Sequence, residues 1–338
     1  MAKQLPTDKP ATMADVARRA GVSPITVSRA LSHPSRVAAI KLAAIRHAAQ
    51  ELGYVRHAIA GSLASQSSRT IGTVVPVLSN SIFADTIEGL SEVFEARGYR
   101  LLIGSSQYDP LREQRFVEAF MEQRVAGVAL TGTTHTKGLR ALLTRARIPV
   151  VEMWNLPRRP LDCSVGFSNY AAARAMVRHL VTRGYRRIAY IGGPTTMNDR
   201  TQARERGYRA ELAAAGLPIR ESLVRRTPFE FENGAKALSG LLDESPAPDA
   251  VFAASDVLAV GALLHCLRTG IRVPQQVALA GLDGSAIGSQ LAPRLTSICF
   301  PRREIGACSA RLLLDRIGGA APGTIEDLGF ELILGESA

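Results

Sequence analysis

A chain of 338 residues, 46% of them hydrophobic, is long enough for two or three domains with ample cores. Four scattered cysteines (Cys163, Cys266, Cys299, Cys308), with no C-x-x-C and no histidine at ligand spacing, speak against disulfides and a zinc site and for a reducing cytoplasm. The formal charge of +11 is uneven: residues 1–69 hold ten Lys or Arg against three acids, which suits contact with phosphates but also suits a solvated basic end. The N-terminus is polar and lacks a signal core, and no run approaches the ~18 apolar residues of a membrane span.

The first elements in the chain are two short helices in TMADVARRAGVSPITVSRAL, residues 12–31. Thr12 is placed to cap the first, with Asp15 three residues on. Met13, Val16, Ala17 and Ala20 form one apolar stripe, and Gly21 is a left-handed stop. Ser23 caps the second helix, Pro24 fits its first turn, and Val22 with Val27 can staple the cap. Val27 and Leu31 then face inward. Ile25, Thr26, Ser28 and Arg29 face outward, the display of hydroxyls and an arginine that a DNA major groove accepts.

ADVARRAGVS followed by TVSRAL resembles the helix-turn-helix headpiece of the LacI family of bacterial transcription regulators. The resemblance implies that Ser23, Pro24, Ile25, Thr26, Ser28 and Arg29 contact operator DNA. A third helix is expected over 37–54, from the stripe Leu42, Ile45, Ala49 and Leu52 and the stop at Gly53. The family opens that helix with a Ser cap and a Thr-Arg pair, and this chain departs from it with Ala38, Lys41 and Leu42. Residues 55–69 read by themselves as a small, polar linker. By resemblance they are a hinge helix that folds when two copies meet on DNA, with Leu63 and Ala64 at the minor-groove wedge.

From Thr70 onward strands alternate with helices. IGTVVPVL, RLLIG, GVALTG, PVVEM, RIAYIGG, AVFAAS and VALAGL read as short strands, most of them buried on both faces, with amphipathic helices such as 83–99 and 198–216 between them. The pattern runs twice, near 70–165 and 166–290, each half with a long helix ending in Arg-Gly-Tyr or a near variant. The fold class expected is α/β: an all-α headpiece (1–54), the hinge (55–69), and a core (70–338) of two doubly wound parallel-sheet lobes. AASDVLAVGAL, VALAGLD and PRLTSI resemble the family's periplasmic-binding-protein-like core. The first lobe is expected to hold 70–165 plus 300–322, with the last helix, Arg302 to Ile317, returning to it. The second lobe is expected to hold 166–299 plus 323–334.

Ligands of such folds bind between lobes, at strand ends. Phe83 opens the first long helix there. Arg200 and Arg204 lie at i and i+4 on one helix face, and two guanidiniums aimed into a cleft suit a carboxylate. The resemblance places the family's ligand-contacting Arg at Arg204, an acceptor of ligand hydroxyls at Asp283, a short polar group at Ser255 and a stacking aromatic at Phe229. His135 stands at a strand end. Glu152 and Trp154 share one strand face, so either or both are expected at the pocket. THT at 134–136, SVGFSN at 164–169, AGLDGSAIG at 280–288 and DLGFEL at 327–332 look closest to the gluconate-operon repressor subgroup. That implies a sugar acid as effector.

The implied protein is a homodimeric, ligand-responsive repressor of the cytoplasm that binds double-stranded operator DNA, with no membrane partner, no cofactor and no metal. The competing reading is a sugar receptor or an enzyme on the same core. No Walker loop, G-x-G-x-x-G after a strand, H-E-x-x-H or G-x-S-x-G is present, and a periplasmic receptor needs an export signal. No heptads follow residue 330, so a dimer is expected rather than a tetramer.

Overall fold

In the computed structural model, which describes residues 10–32, 34–54 and 68–338, the chain divides into two compact units at Ser68/Arg69. The expected hinge, with Leu63 and Ala64, lies outside the described residues apart from its last two positions.

The first unit is built by its caps. Helix α1 (Met13–Arg19) opens with a capping box: Thr12 accepts from the Asp15 backbone, and the Asp15 carboxylate accepts from the Thr12 backbone. Gly21, at φ +64°, reverses the chain into α2 (Pro24–Ser32), where Ser23 Oγ accepts from Thr26 N at 3.3 Å. The third helix α3 (Ala39–Glu51) starts at Ala38 with no side-chain cap, the physical consequence of Ala at that position. Val16, Ala17, Val27, Ala30, Ile45 and Ala48 form the core of the three helices.

The second unit holds two six-stranded sheets. In chain order the elements are β1 (Thr70–Val75), α4 (Ser81–Ala96), β2 (Arg100–Ser105), α5 (Pro110–Glu122), β3 (Gly127–Thr131), α6 (Lys137–Ala146), β4 (Val150–Met153), β5 (Cys163–Gly166) and α7 (Asn169–Thr182). They continue with β6 (Ile188–Gly192), α8 (Asp199–Ala214), β7 (Val224–Arg226), α9 (Phe231–Leu242), β8 (Ala250–Ala253), α10 (Asp256–Thr269), β9 (Ala278–Asp283), α11 (Ala286–Gln290), β10 (Thr296–Cys299), α12 (Arg302–Ile317), β11 (Ile325–Asp327) and β12 (Glu331–Ile333). The first sheet runs β11-β5-β4-β3-β1-β2 and the second β12-β10-β9-β8-β6-β7; only the β10–β12 pair is antiparallel. Central strands β3, β6, β8 and β9 are buried throughout, as parallel strands covered by helices on both faces must be.

Two expectations need correction. Strands β5, β7, β10, β11 and β12, of three or four residues each, are too short or too polar for periodicity to reveal. And residues 323–334 do not all belong to the second lobe: β11 pairs in parallel with β5 in the first sheet, while β12 pairs with β10 in the second. The last crossing between lobes therefore comes after β11 rather than before it. The Arg-Gly-Tyr repeat has a concrete role. Gly98 and Gly184 are left-handed at φ +71° and +99°, and the Tyr99 and Tyr185 amides return to the carbonyls of Phe94 and Leu180, closing α4 and α7 alike.

Helix α12 packs on α4 with the two backbones in near contact. A Cβ on Gly306 would sit 2.1 Å from the Thr86 carbonyl, and one on Gly89 2.0 Å from that of Arg303. The first lobe also buries an ionic cluster. His135 Nδ1 lies 2.8 Å from Glu113 Oε2, and its Nε2 3.3 Å from Glu152 Oε1, an ion-pair distance without hydrogen-bond geometry. Burial disfavours the imidazolium, but the two carboxylates outweigh it and raise the His135 pKa to about 9.

Two outcomes are expected. Gly306→Ala lowers stability by about 1–3 kcal/mol through overpacking, whereas Gly240→Ala, on a helix with open space around it, is neutral or stabilising by up to about 1 kcal/mol; thermal unfolding of both variants checks this. The His135 cluster stabilises the fold fully below the ordinary histidine pKa of about 6.5, and that contribution disappears as pH rises through 9. The stability gap between wild type and His135→Gln therefore narrows by on the order of 3 kcal/mol between pH 6 and pH 9.5, as urea unfolding will show; a gap that widens with pH contradicts it.

Candidate functional site

The outer face of α2 is presented as the sequence predicts. Ile25 is 71% exposed, Ser23, Pro24, Ser28 and Arg29 are exposed, and Val27 is fully buried. Thr26 is only half exposed, because its hydroxyl lies 2.9 Å from that of Ser23 and completes the cap. The neighbouring arginines are engaged within the unit: Arg18 with Asp15 at 3.1 Å and Arg19 with Glu51 at 2.9 Å. Arg29 has no ion-pair partner among the described residues, so its donors remain available on the surface.

In the second unit the C-terminal ends of strands from both sheets meet at one cleft. Its mouth encloses about 710 Å³, within the range of about 300–1,000 Å³ usual for small-molecule sites. Phe83, Arg200, Arg204, Phe229, Ser255 and Asp283 all line the inner part. Phe83 packs on Trp154 with ring centroids 4.8 Å apart, and Trp154 meets the edge of Phe300 at 5.1 Å. These rings form the apolar wall.

The polar wall centres on Arg204, whose side chain is 7% exposed. Its Nε donates to Asn169 Oδ1 at 2.8 Å and its Nη1 to the Ala254 carbonyl at 2.7 Å, with Asp283 Oδ1 3.7 Å away. Burial pulls the Arg204 pKa down, opposed by Asp283. Asp283 Oδ2 accepts from Ser255 Oγ at 2.8 Å and from the Asp256 amide at 3.2 Å, while its buried Oδ1 has no hydrogen-bond partner. Burial, reinforced by nearby Asp256, raises the Asp283 pKa despite Arg204. Arg200 differs from Arg204: among the described residues its one polar contact is Nη1 to neighbouring Asp199 Oδ1 at 3.4 Å, and it lines both the inner cleft and a small polar chamber. The arrangement offers guanidinium donors and a lone carboxylate acceptor within an apolar frame.

His135 and Glu152 do not line the cleft, contrary to expectation. Glu152 is 1% exposed, and its Oε2 accepts from the Leu161 amide while Oε1 faces His135. The shared strand face inferred for Glu152 and Trp154 fails because β4 ends at Met153. Trp154, at φ +76°, leaves the pleat and turns into the cleft. His135 is drawn into the lobe by Glu113 on α5, a partner 22 residues earlier in the sequence.

Sequence reasoning missed Tyr108, which lines the mouth, the inner cleft and the chamber. Its ring lies 5.3 Å from Phe229 of the other lobe, and burial pushes its pKa up to about 12. Gln107, Tyr108, Trp154, Met197 and Asp283 all adopt positive φ around this cleft. Such backbone strain concentrates at functional sites, but nothing in a non-glycine sequence announces it.

Comparison with known proteins agrees with this geometry. Residues 12–57 match the model of the bacterial regulatory proteins of the lacI family, and residues 177–338 match a periplasmic binding protein-like domain. The HTH-type transcriptional regulator GntR of Pseudomonas aeruginosa is 39% identical over 330 residues, 96% of this chain and 95% of its own length. Its namesake in Escherichia coli K12 is 37% identical over 324 residues, 96% and 97% of the two chains. A LacI-family transcriptional regulator from Silicibacter pomeroyi, solved by crystallography, superposes with a TM-score of 0.89 at 31% identity, covering 97% of this chain and 99% of that one. The chain belongs to the LacI family of bacterial regulatory proteins and is a DNA-binding transcriptional regulator, not an enzyme.

Proposed function

We propose that this regulator is a homodimeric repressor whose cleft binds a sugar acid, of gluconate or ketogluconate type, and which then releases its operator. In this reading residues 1–54 read DNA, 55–69 form the hinge with Leu63 and Ala64 at the wedge, and 70–338 bind effector and dimerise. The observation that carries the effector assignment is the presence in one cleft of the Arg200 guanidinium and of Asp283 Oδ1, which is buried, faces Arg204 at 3.7 Å and accepts no hydrogen bond. A carboxylate suits the first and a hydroxyl the second.

The weight within the site falls on Arg200. Arg204 has two of its donors committed to Asn169 and Ala254, so its part is to hold Asp283 and present its remaining edge. Formal charges of Arg200, Arg204, Asp199 and Asp283 cancel, so a bound anion is held by local donors rather than by the net field of the cleft. Ser255 is occupied in orienting Asp283, and Phe83 and Phe229 supply apolar faces for the carbon skeleton. His135 and Glu152 stay outside the site. The resemblance of 134–136, 164–169, 280–288 and 327–332 to gluconate-operon repressors supports the choice of acid.

For DNA, Arg29 is the long donor on the outward face of α2 and is assigned to a base edge, guanine by preference. Ser23, Pro24, Ile25, Thr26 and Ser28 are assigned to the surrounding contacts, with Thr26 restricted by its tie to Ser23.

Arg29→Ala is expected to relax sequence preference at one position per half-site, a loss of about 1–3 kcal/mol of discrimination. Binding to an operator panel measures this, and an equal loss on all sequences would mean that Arg29 touches only phosphate. By calorimetry, gluconate or 2-ketogluconate is expected to bind at least tenfold, roughly 1.4 kcal/mol, more tightly than glucose. Arg200→Ala should remove most of that preference. Equal affinities for gluconate and glucose would rule out the acid. Operator duplex should weaken effector binding by the same factor as effector weakens operator binding.

A further inference from the structure

We infer that Asp199 is the latch that holds the two lobes of the core together, and that Asn155 and Asn169 relay its position to the Arg204 guanidinium. The relay gains its meaning from the effector site proposed above, but the latch is a statement about the protein without effector.

Asp199 is the first residue of α8, in the second lobe. Its Oδ2 accepts three hydrogen bonds: from Thr133 N at 2.9 Å, Thr133 Oγ1 at 2.7 Å and Asn155 Nδ2 at 2.7 Å. Thr133 and Asn155 both belong to the first lobe, just beyond β3 and β4. The helix itself does not need this carboxylate, since Asn198 caps α8 by accepting from the Thr201 amide. Three donors from one lobe converging on a single, 12% exposed carboxylate of the other make strong, charge-assisted bonds. The first lobe makes room for it: Gly132, at φ +92°, has no Cβ where one would stand 2.8 Å from Asp199 Oδ1 and 2.2 Å from Arg200 Nη1.

The latch continues into the site. Asn155 Oδ1 lies 3.4 Å from Asn169 Nδ2, which also donates to the Trp154 carbonyl at 2.8 Å. Asn169 Oδ1 accepts from Arg204 Nε at 2.8 Å, and Arg204 faces Asp283. An amide side chain both donates and accepts, so two asparagines in series can link a carboxylate to a guanidinium; an acid or a lysine in either place would break the alternation. Moving Asp199 away from the first lobe frees Asn155, and with it the orientation of Asn169 and Arg204. The Tyr108–Phe229 contact and the bonds that Arg302 Nη1, at the start of α12, donates to the carbonyls of Asp283 and Gly284 beyond β9 also join the lobes, so loss of the latch loosens the core without severing it.

Trp154 is the single tryptophan of the chain, adjoins Asn155, and is 1% exposed in the cleft wall. Its emission therefore reports opening in the full chain with no ligand added. Acrylamide quenching of Asp199→Ala should rise about twofold or more over wild type as the cleft opens, with far-UV circular dichroism unchanged. Thr133→Val, which removes one of the three donors and nothing from α8, should give a smaller rise. Unchanged quenching in both folded variants overturns the latch. The relay is tested by urea unfolding of Asp199→Ala, Asn169→Ala and the double variant: the combined midpoint shift should be smaller than the sum of the two, and additive shifts overturn it. Gluconate titration of the same emission should weaken roughly tenfold in Asp199→Ala, because ligand must then drive closure. Increased quenching with no gluconate response in either protein leaves the latch standing and removes the sugar acid instead; a gluconate response of equal affinity in wild type and Asp199→Ala overturns the coupling.

Discussion

The buried guanidinium of Arg204 is the constraint around which the cleft between the two sheets is organised. A charge removed from water costs several kcal/mol unless the protein replaces the lost hydration. Here the replacement comes from three parts of the chain: the Asn169 amide at the start of α7, the Ala254 carbonyl at the end of β8, and the Asp283 carboxylate at the end of β9. Each is placed by an element of the second sheet or the helix beside it. Satisfying one arginine thus fixes the relative positions of three strand and helix ends. What is left over is hydrogen-bonding capacity: Asp283 Oδ1 faces Arg204 at 3.7 Å but accepts no hydrogen bond, and Arg200 lines the cleft beside it.

The backbone around this arginine is the least relaxed in the core. Trp154 and Tyr108 are held at φ +76° and +61°, and Asp283 at +145°. None is a glycine, and each conformation costs on the order of 1–3 kcal/mol. Packing supplies what holds them there. Trp154 is wedged between Phe83 and Phe300, and Phe300 stacks on Phe167 at 4.2 Å. The cleft wall is thus made by strained strand ends held by packing within each lobe.

How much of this was legible in the sequence depended on the range of the interaction. The capping box of Thr12 and Asp15, the reversal at Gly21 and the cap at Ser23 are decided within three or four residues, and each could be read directly. The i, i+4 spacing of Arg200 and Arg204 placed both at the cleft for the same reason. The distinction between them could not be read, because Asn169 and Ala254 lie 35 and 50 residues from Arg204. Glu152 was misplaced when period-2 alternation was carried one residue past the end of β4, into a left-handed turn at Trp154. His135 was misplaced because its partner Glu113 comes from α5.

Local chemistry in the sequence determined the three-helix unit, the alternation of strand and helix and the exposed face of α2, since propensity, capping and hydrophobic period act between near neighbours; the family came from the resemblance of the headpiece and core motifs. The tertiary structure decided which lobe β11 and β12 join, which of two buried arginines has its donors committed to Asn169 and Ala254, and that Asp199 reaches across to Thr133 and Asn155. Those outcomes depend on pairings between residues tens to more than a hundred and fifty positions apart. They are settled by desolvation and geometry only once both sheets are in place.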